Sequence, residues 1–274
     1  GEGTQLQLRK SRVHFGKVNA VFISHLHGDH CFGLMGLVST FGLLGRTALL
    51  HIYAPKEMTE LFDLQRRMFC QTFEYELVFH PLETTRSEVV YEDKSLTVTT
   101  VPLSHRVPCC GFLFKEKPLQ PHLNREMLDF YEIPRSQFNN IKQGQDWTTA
   151  DGETIPNSRL VLPADKPLSY AFCSDTRYMP DLHKLVYGVD VIYHESTYGD
   201  KDTANARKYY HSTASEAARV ASDSCAGLLL LGHYSSKYAD ETCLLDEACR
   251  VFPSVVLTNE MDVVDVANRC KVEE

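Results

Sequence analysis

The 274-residue sequence predicts an α/β protein in which two β-sheets lie face to face and helices cover both outer faces: a four-layer αββα sandwich carrying a protruding arm. Three patterns predict it. Strand-length apolar runs alternate with helical periodicities in the second half. Strands dominate the first half. Between them, residues 116–168 change character. Each sheet or helix must bury one apolar face against another layer, and sheets flanked by helices do so for this order of elements.

Asn19–Ser24 (NAVFIS) is a continuous apolar run of strand length, and it stops at the histidine-rich stretch SHLHGDH. GLMGLVSTFGLLGR reads as a helix from near Asp29 or Cys31 to about Gly45. Leu49–Ala54 is a second strand. Lys56–Cys70 has helical spacing at Met58, Leu61, Phe62, Leu64 and Met68. Glu76–His80, Val89–Tyr91, Ser95–Pro102 and Gly111–Lys115 read as β segments. Residues 116–168 accumulate proline, asparagine and glutamine and hold the only tryptophan, Trp147. A short helix around Asn124–Tyr131, a turn at Pro134 and a hairpin near Asp151-Gly152 make this stretch an insertion in one larger domain spanning 1–274. Strands at Ser169–Cys173, Asp190–Tyr193, Gly227–Leu231 and Ser254–Leu257 then alternate with helices around Met179–Leu185, Thr213–Ala221 and Glu241–Val251. There is no internal repeat.

Composition narrows the function classes. With 43% hydrophobic and 23% charged residues the chain has the make-up of a soluble globular protein. No apolar run approaches the ~20 residues that span a bilayer. A net charge of −8 argues against a protein that coats nucleic acid nonspecifically, but it leaves room for a nucleic-acid enzyme with a local basic patch. The nine cysteines are odd in number, scattered and without a CxxC pair, as expected of reduced thiols in a cytoplasmic protein. The chain begins GEGTQLQLRK without Met, so its native start, with any targeting segment, is expected upstream.

The chemistry concentrates where strands end. In extended backbone His25 and His27 project to the same side and can hold one metal. Asp29 and His30 sit a step further, at the start of a helix, and can hold a second about 3.5–4 Å away. A lone histidine is most often a core or capping residue; three with an aspartate at this spacing are not. Further donors follow distant strands: His105 after SLTVTTVPLS, Asp175 after SYAFCS and His233 after GLLLLG. Residues at the ends of successive strands converge on one sheet edge. Imidazole and carboxylate without thiolate suit zinc, and also manganese or iron.

HLHGDH, a downstream SH, an SDT and a late GH resemble the metallo-β-lactamase fold. The likeness is more specific to the ribonuclease Z family of tRNA 3′-end-processing endonucleases. It rests on GEGTQ at 1–5, SHLHGDHCFGLMGLVSTFGLLGR at 24–46, HESTYGD at 194–200 with HST at 211–213, and GHYSSKY at 232–238. The resemblance implies that His25, His27 and His105 hold one Zn2+ and Asp29, His30 and His233 another, with Asp175 bridging. It matches Glu195 and His211 to a pair acting near the leaving group. Two Zn2+ ions would bring the pKa of water from about 15.7 towards ~7, and Asp29 can accept its proton. The departing ribose 3′-oxygen needs a proton, for which His211, oriented by Glu195, is the general acid. A helix N-cap at Ser212 or Thr213 would fix where His211 points. His194 reads as structural.

The resemblance also implies a precursor-tRNA substrate, a homodimer with Leu64–Phe79 and the helix after the metal motif as candidate interface, and an arm that clamps the tRNA elbow. In the arm, Arg125, Arg135, Lys142 and Arg159 are the candidate RNA contacts. Two departures stand out. Relatives carry strands and an aspartate directly before GEGTQ, so the chain is expected to be N-terminally incomplete, and Gly1–Gln5 is expected as a loop near the metal site. Where relatives place Gly-Pro in the arm, this chain has Arg135-Ser136, and from Lys115 to Lys166 it carries seven basic residues against eight acidic ones, so basic charge does not by itself mark the arm as RNA-binding. Competing readings are another hydrolase of the fold, a phosphodiesterase or a glyoxalase II-like thioesterase, and a metal-free paralogue serving as scaffold.

Overall fold

The structure is a computed structural model, and it describes residues 1–11, 13–69 and 72–272. They divide into two compact units, Gly1–Lys115 with Ser169–Glu274, and Glu116–Leu168. In the first unit the two main sheets are built from β1 (Ala20–Phe22), β2 (Leu50–Ala54), β3 (Leu77–Pro81), β4 (Val89–Glu92), β5 (Leu96–Leu103), β6 (Cys109–Glu116), β7 (Ser169–Cys173), β8 (Val191–Glu195), β9 (Leu228–Gly232) and β10 (Val255–Leu257). β1, β2 and β3 form a small parallel sheet. The other seven form a second sheet in the order β10-β9-β8-β7-β6-β5-β4. Its β7–β10 half is parallel, because helices carry the chain back between successive strands.

The layers follow from burial. Between the two sheets, Phe22 of β1 stacks on Tyr53 of β2 at 4.8 Å and meets Phe112 of β6 at 5.3 Å. Outside the small sheet, helices Gly33–Leu43 and Glu57–Met68 press Leu34, Leu37, Val38, Phe41, Met58 and Phe62 onto Leu50 and Ile52. Outside the large sheet, helix Ala214–Asp223 presents Ala214, Ala217, Ala218 and Ala221 to Ile192, Leu229 and Leu231. A face of alanines lets that helix lie close to the strands. β9 (LLLLG) is buried throughout, as a strand covered on both faces must be.

Two local expectations are corrected. Gly1–Gln5 was expected as a loop, but Thr4–Lys10 is a helix. It packs where Gly33 has no side chain: a Cβ there would lie 1.7 Å from the Gly1 carbonyl oxygen. The helix after the histidine motif is two helices, Gly28–Cys31 and Gly33–Leu43, parted at exposed Phe32. The end of the expected helix Lys56–Cys70 at Cys70 lies outside the described residues; Glu57–Met68 is helical.

The second unit has its own apolar core of Leu128, Ile133, Ile141, Ile155 and Leu160. Asn124 caps helix Arg125–Phe130 through Met127 N. Trp147–Thr148 pairs with Thr154–Ile155 across a turn in which Gly152 adopts φ 85°, a left-handed conformation that glycine takes without steric cost.

Candidate metal and acid–base centre

The seven candidate ligands come together at the strand ends of the first unit. His25 Nε2 and His105 Nε2 each lie 3.2 Å from His27 Nδ1. Asp175 turns Oδ2 towards the first group, 3.7 Å from His25 and 3.6 Å from His105. It turns Oδ1 towards the second, 3.4 Å from His30 and 3.3 Å from His233. Asp29 Oδ2 completes that group at 3.4 Å from His30 and 3.7 Å from His233. Four tetrahedral donors ~2.05 Å from one ion stand roughly 3.3 Å apart, so the spacing fits a cation inside each group.

Two further observations test that fit. Buried His30 Nε2 and Asp175 Oδ1 have no hydrogen-bond partner, and an unsatisfied buried polar atom costs about 1–3 kcal/mol. Burial also lowers the imidazole pKa values, to about 2 for His25 and about 4 for His30 and His105, and it lowers His27. The rings are therefore held in the neutral form that ligates metal. Burial pushes the Asp175 carboxyl up to about 6. The residues present fit divalent metal.

The opposite ring nitrogens fix the orientations. His105 Nδ1 lies 2.9 Å from the Tyr210 carbonyl. A carbonyl only accepts, so Nδ1 carries the proton and Nε2 is bare. That carbonyl is aimed by a left-handed residue, Tyr210 at φ 61°, ending helix Thr203–Tyr209. His233, at φ 59°, is a second non-glycine residue in this conformation. Ser24 Oγ lies 3.0 Å from His25 Nδ1.

Behind the metal ligands sits Glu195, fully buried yet satisfied. Its Oε1 accepts from Thr176 N at 3.0 Å, Ser212 N at 3.0 Å and His211 Nδ1 at 2.9 Å. Its Oε2 accepts from Thr197 N at 3.0 Å and Thr197 Oγ1 at 2.8 Å. Burial alone would raise the carboxyl; the His211 contact and these N–H donors outweigh it, and the group is held ionised. For His211, burial opposes protonation, but the hydrogen bond to Glu195 and its charge win and raise the pKa. Thr197 was not singled out from sequence. Its hydroxyl donates to Glu195, so its oxygen must accept from His233 Nδ1 at 2.9 Å, which leaves His233 Nε2 bare. Thr213 caps helix Ala214–Asp223 in a capping box with Glu216 and fixes the backbone just after His211.

A beta-lactamase superfamily domain model matches residues 3–121. Ribonuclease Z of Bacteroides fragilis is 53% identical over 260 residues, 95% of this chain and 86% of that protein. Ribonuclease Z of Porphyromonas gingivalis is 45% identical over 266 residues, 97% of this chain and 88% of that protein. The chain belongs to the ribonuclease Z family. Human short-form tRNase Z superposes with a TM-score of 0.66 at 24% identity, over 97% of this chain and 86% of that one, a likeness that speaks to fold. The metallo-β-lactamase fold expected from the motifs is the fold observed.

The other sequence-derived candidates of this ribonuclease Z relative lie in the second unit. Arg125 and Arg159 are exposed, yet their guanidinium groups sit over the Phe138 and Tyr131 rings at 5.6 and 5.9 Å. Arg135 is exposed and Lys142 half-buried. A further basic residue stands at the site: Arg106, beside His105, whose charge acts on both His27 and His211. Its only sequence signal is adjacency to a ligand. Among the described residues, no helix is long and apolar enough to cross a membrane.

Proposed function

We propose that the chain is a metal-dependent endoribonuclease that removes the 3′ trailer from precursor tRNA and leaves a 3′-hydroxyl on the tRNA. The observation that carries this is the His211–Glu195 pair standing beside the seven-donor cluster, with the His211 ring centroid 5.1 Å from that of His105 and 5.4 Å from that of His233. Hydrolysis of this phosphodiester expels a ribose alkoxide, which needs an acid, whereas a thioester hydrolase expels a thiolate that leaves without one.

We assign His25, His27 and His105 to one Zn2+, Asp29, His30 and His233 to another, and Asp175 to both; manganese or iron suits the same donors. Bound there, the ions supply Lewis acidity that activates water near neutral pH and offsets charge on the phosphoryl oxygens. The chain's own residues do the rest. Asp29, two-thirds exposed, faces the open side. Burial would raise its pKa, but His30, a backbone hydrogen bond and His233 lower it, so it is ionised and serves first as a ligand. His211 is held protonated on Nδ1 by Glu195, and its Nε2 gives a proton to the departing 3′-oxygen.

The finer readings are part of the same proposal. The enzyme acts in the cytoplasm on precursor tRNA, with Glu116–Leu168 gripping the RNA away from the cut. It works as a homodimer: Leu43, Leu44, Leu64, Met68 and Phe69 leave apolar side chains exposed on and beside the helices that cover the small sheet. The test is cleavage of a 3′-trailer tRNA by wild type, His211→Ala and Asp29→Ala. Both variants are expected to lose activity severely, His211→Ala by about 10²–10⁴-fold. Near-normal cleavage by His211→Ala would remove it as the acid, and turnover of S-lactoylglutathione without RNA cleavage would sink the endonuclease assignment.

A further inference from the structure

A cleft of about 530 Å3 opens beside His211, walled by Arg177, Tyr178, Met179 and Arg207, and none of the seven metal-ligand candidates lines it. His211 is thus the partition between the metal cluster and this cleft. The volume lies within the ~300–1,000 Å3 range of small-ligand sites. Building on the function proposed above, we infer that this cleft holds the last nucleotide retained on the tRNA, with Arg177 and Arg207 on that nucleotide's 5′-phosphate and Tyr178 and Met179 against its base or ribose.

The chemistry of the cut sets the side. Water oxygen bonds to phosphorus as the P–O3′ bond breaks. The electron pair stays on O3′, which takes the proton from His211. O3′ belongs to the retained nucleotide, and the trailer leaves with the phosphate on its 5′ end. The atom that His211 must touch therefore belongs to a ribose on the His211 side of the phosphorus, and the cleft is the space on that side.

Charge supports an anionic occupant. The two carboxylates in the wall are already engaged: Asp181 pairs with Lys184 at 2.7 Å, and Glu216 accepts from Thr213 N at 3.0 Å in the capping box. The two arginines are exposed and, among the described residues, neither forms an ion pair. Arg177 instead lies over the Tyr210 ring at 5.1 Å, one residue before His211, so its fork is held near the reacting end of the cleft. Arginine on a rigid support is suited to phosphate. Tyr178 and Met179 are half-buried against the core beneath helix Ala214–Asp223, which gives an unpaired base a fixed apolar wall. Nothing in the local pattern RYM at 177–179 marks these residues.

The test uses three precursor tRNAs: one all-phosphate, one with a neutral methylphosphonate on the 5′ side of the last retained nucleotide, and one with it between the first two trailer nucleotides. For the wild type, kcat/KM is expected to fall at least about tenfold with the first methylphosphonate, and little with the second. In the Arg177→Ala/Arg207→Ala double variant the first substitution is expected to cost less than about twofold, because the charge it removes no longer has a partner. Each enzyme is its own control, so a partly inactive preparation leaves the ratios intact. An equal loss in wild type and variant, or no loss in either, overturns the subsite. Coupling to the trailer methylphosphonate instead overturns the assignment of the side. Absence of any tRNA cleavage by a wild type that still hydrolyses bis(p-nitrophenyl) phosphate overturns the function proposed above, a distinct outcome.

Discussion

Glu195→Gln separates the acid from the metal cluster more sharply than any other single change. The carboxylate takes three donors on Oε1 and two on Oε2. A glutamine has one acceptor oxygen and one NH2. In either orientation the NH2 faces at least two groups that themselves donate, so at least two charge-assisted bonds are lost. At roughly 1.5–3 kcal/mol each, the cost to folding is about 3–6 kcal/mol, a fall in Tm on the order of 10 °C for a body of this size. His211 loses both its alignment and the charge that raises its pKa. Burial, which opposes protonation, then prevails. In the mechanism proposed above the acid form of His211 is the active one, so activity is expected to fall as pH rises through its pKa, and a lowered pKa moves that alkaline limb to lower pH.

The assay is the pH profile of kcat on a 3′-trailer tRNA, with bound metal measured in the same preparations. The expected result is a loss of about 10²–10⁴-fold in kcat, an alkaline limb displaced to lower pH, and a smaller loss on bis(p-nitrophenyl) phosphate, whose phenolate leaves without a proton. An unchanged kcat and an unmoved limb in folded, metal-loaded protein would refute the pairing. Loss of metal with the limb in place would instead assign Glu195 to His233, through Thr197.

Three other outcomes are expected. Thr197→Val removes the hydroxyl that links Glu195 to His233 and should weaken binding of one metal equivalent by about 10–100-fold, as measured by chelator competition, with Thr197→Ser restoring it. Asp175→Asn leaves only one oxygen where Oδ1 and Oδ2 each face a separate histidine group, so metal analysis should find at least one equivalent gone; retention of both would contradict the bridge. Excising Glu116–Leu168 is structurally feasible because Lys115 and Ser169 are register partners on β6 and β7, and a short turn can rejoin them; KM for precursor tRNA should rise at least about tenfold, and equal losses on bis(p-nitrophenyl) phosphate would count against an RNA-gripping role.

How much of this site a sequence can disclose follows from strand register. Cys173, His194 and Leu231 are register partners across β7, β8 and β9. Two residues on, Asp175 and His233 stand at one height, two strands and so about 9.6 Å apart, and their side chains close the gap to 3.3 Å. Residues that emerge just past the apolar runs of neighbouring strands must converge, which is why the seven donors were legible from run lengths and residue type alone. Thr197 was not, because a threonine two places after a glutamate has no signature of its own. Its double contact exists only once β8 and β9 are paired and His233 turns left-handed to offer Nδ1. The same holds for Arg106, Arg177 and Arg207: three basic residues spread over a hundred positions of an acidic chain cannot be read as a patch until the fold brings them to one imidazole. Sequence spacing discloses what one strand end can hold, whereas what surrounds His211 is set by five separate segments.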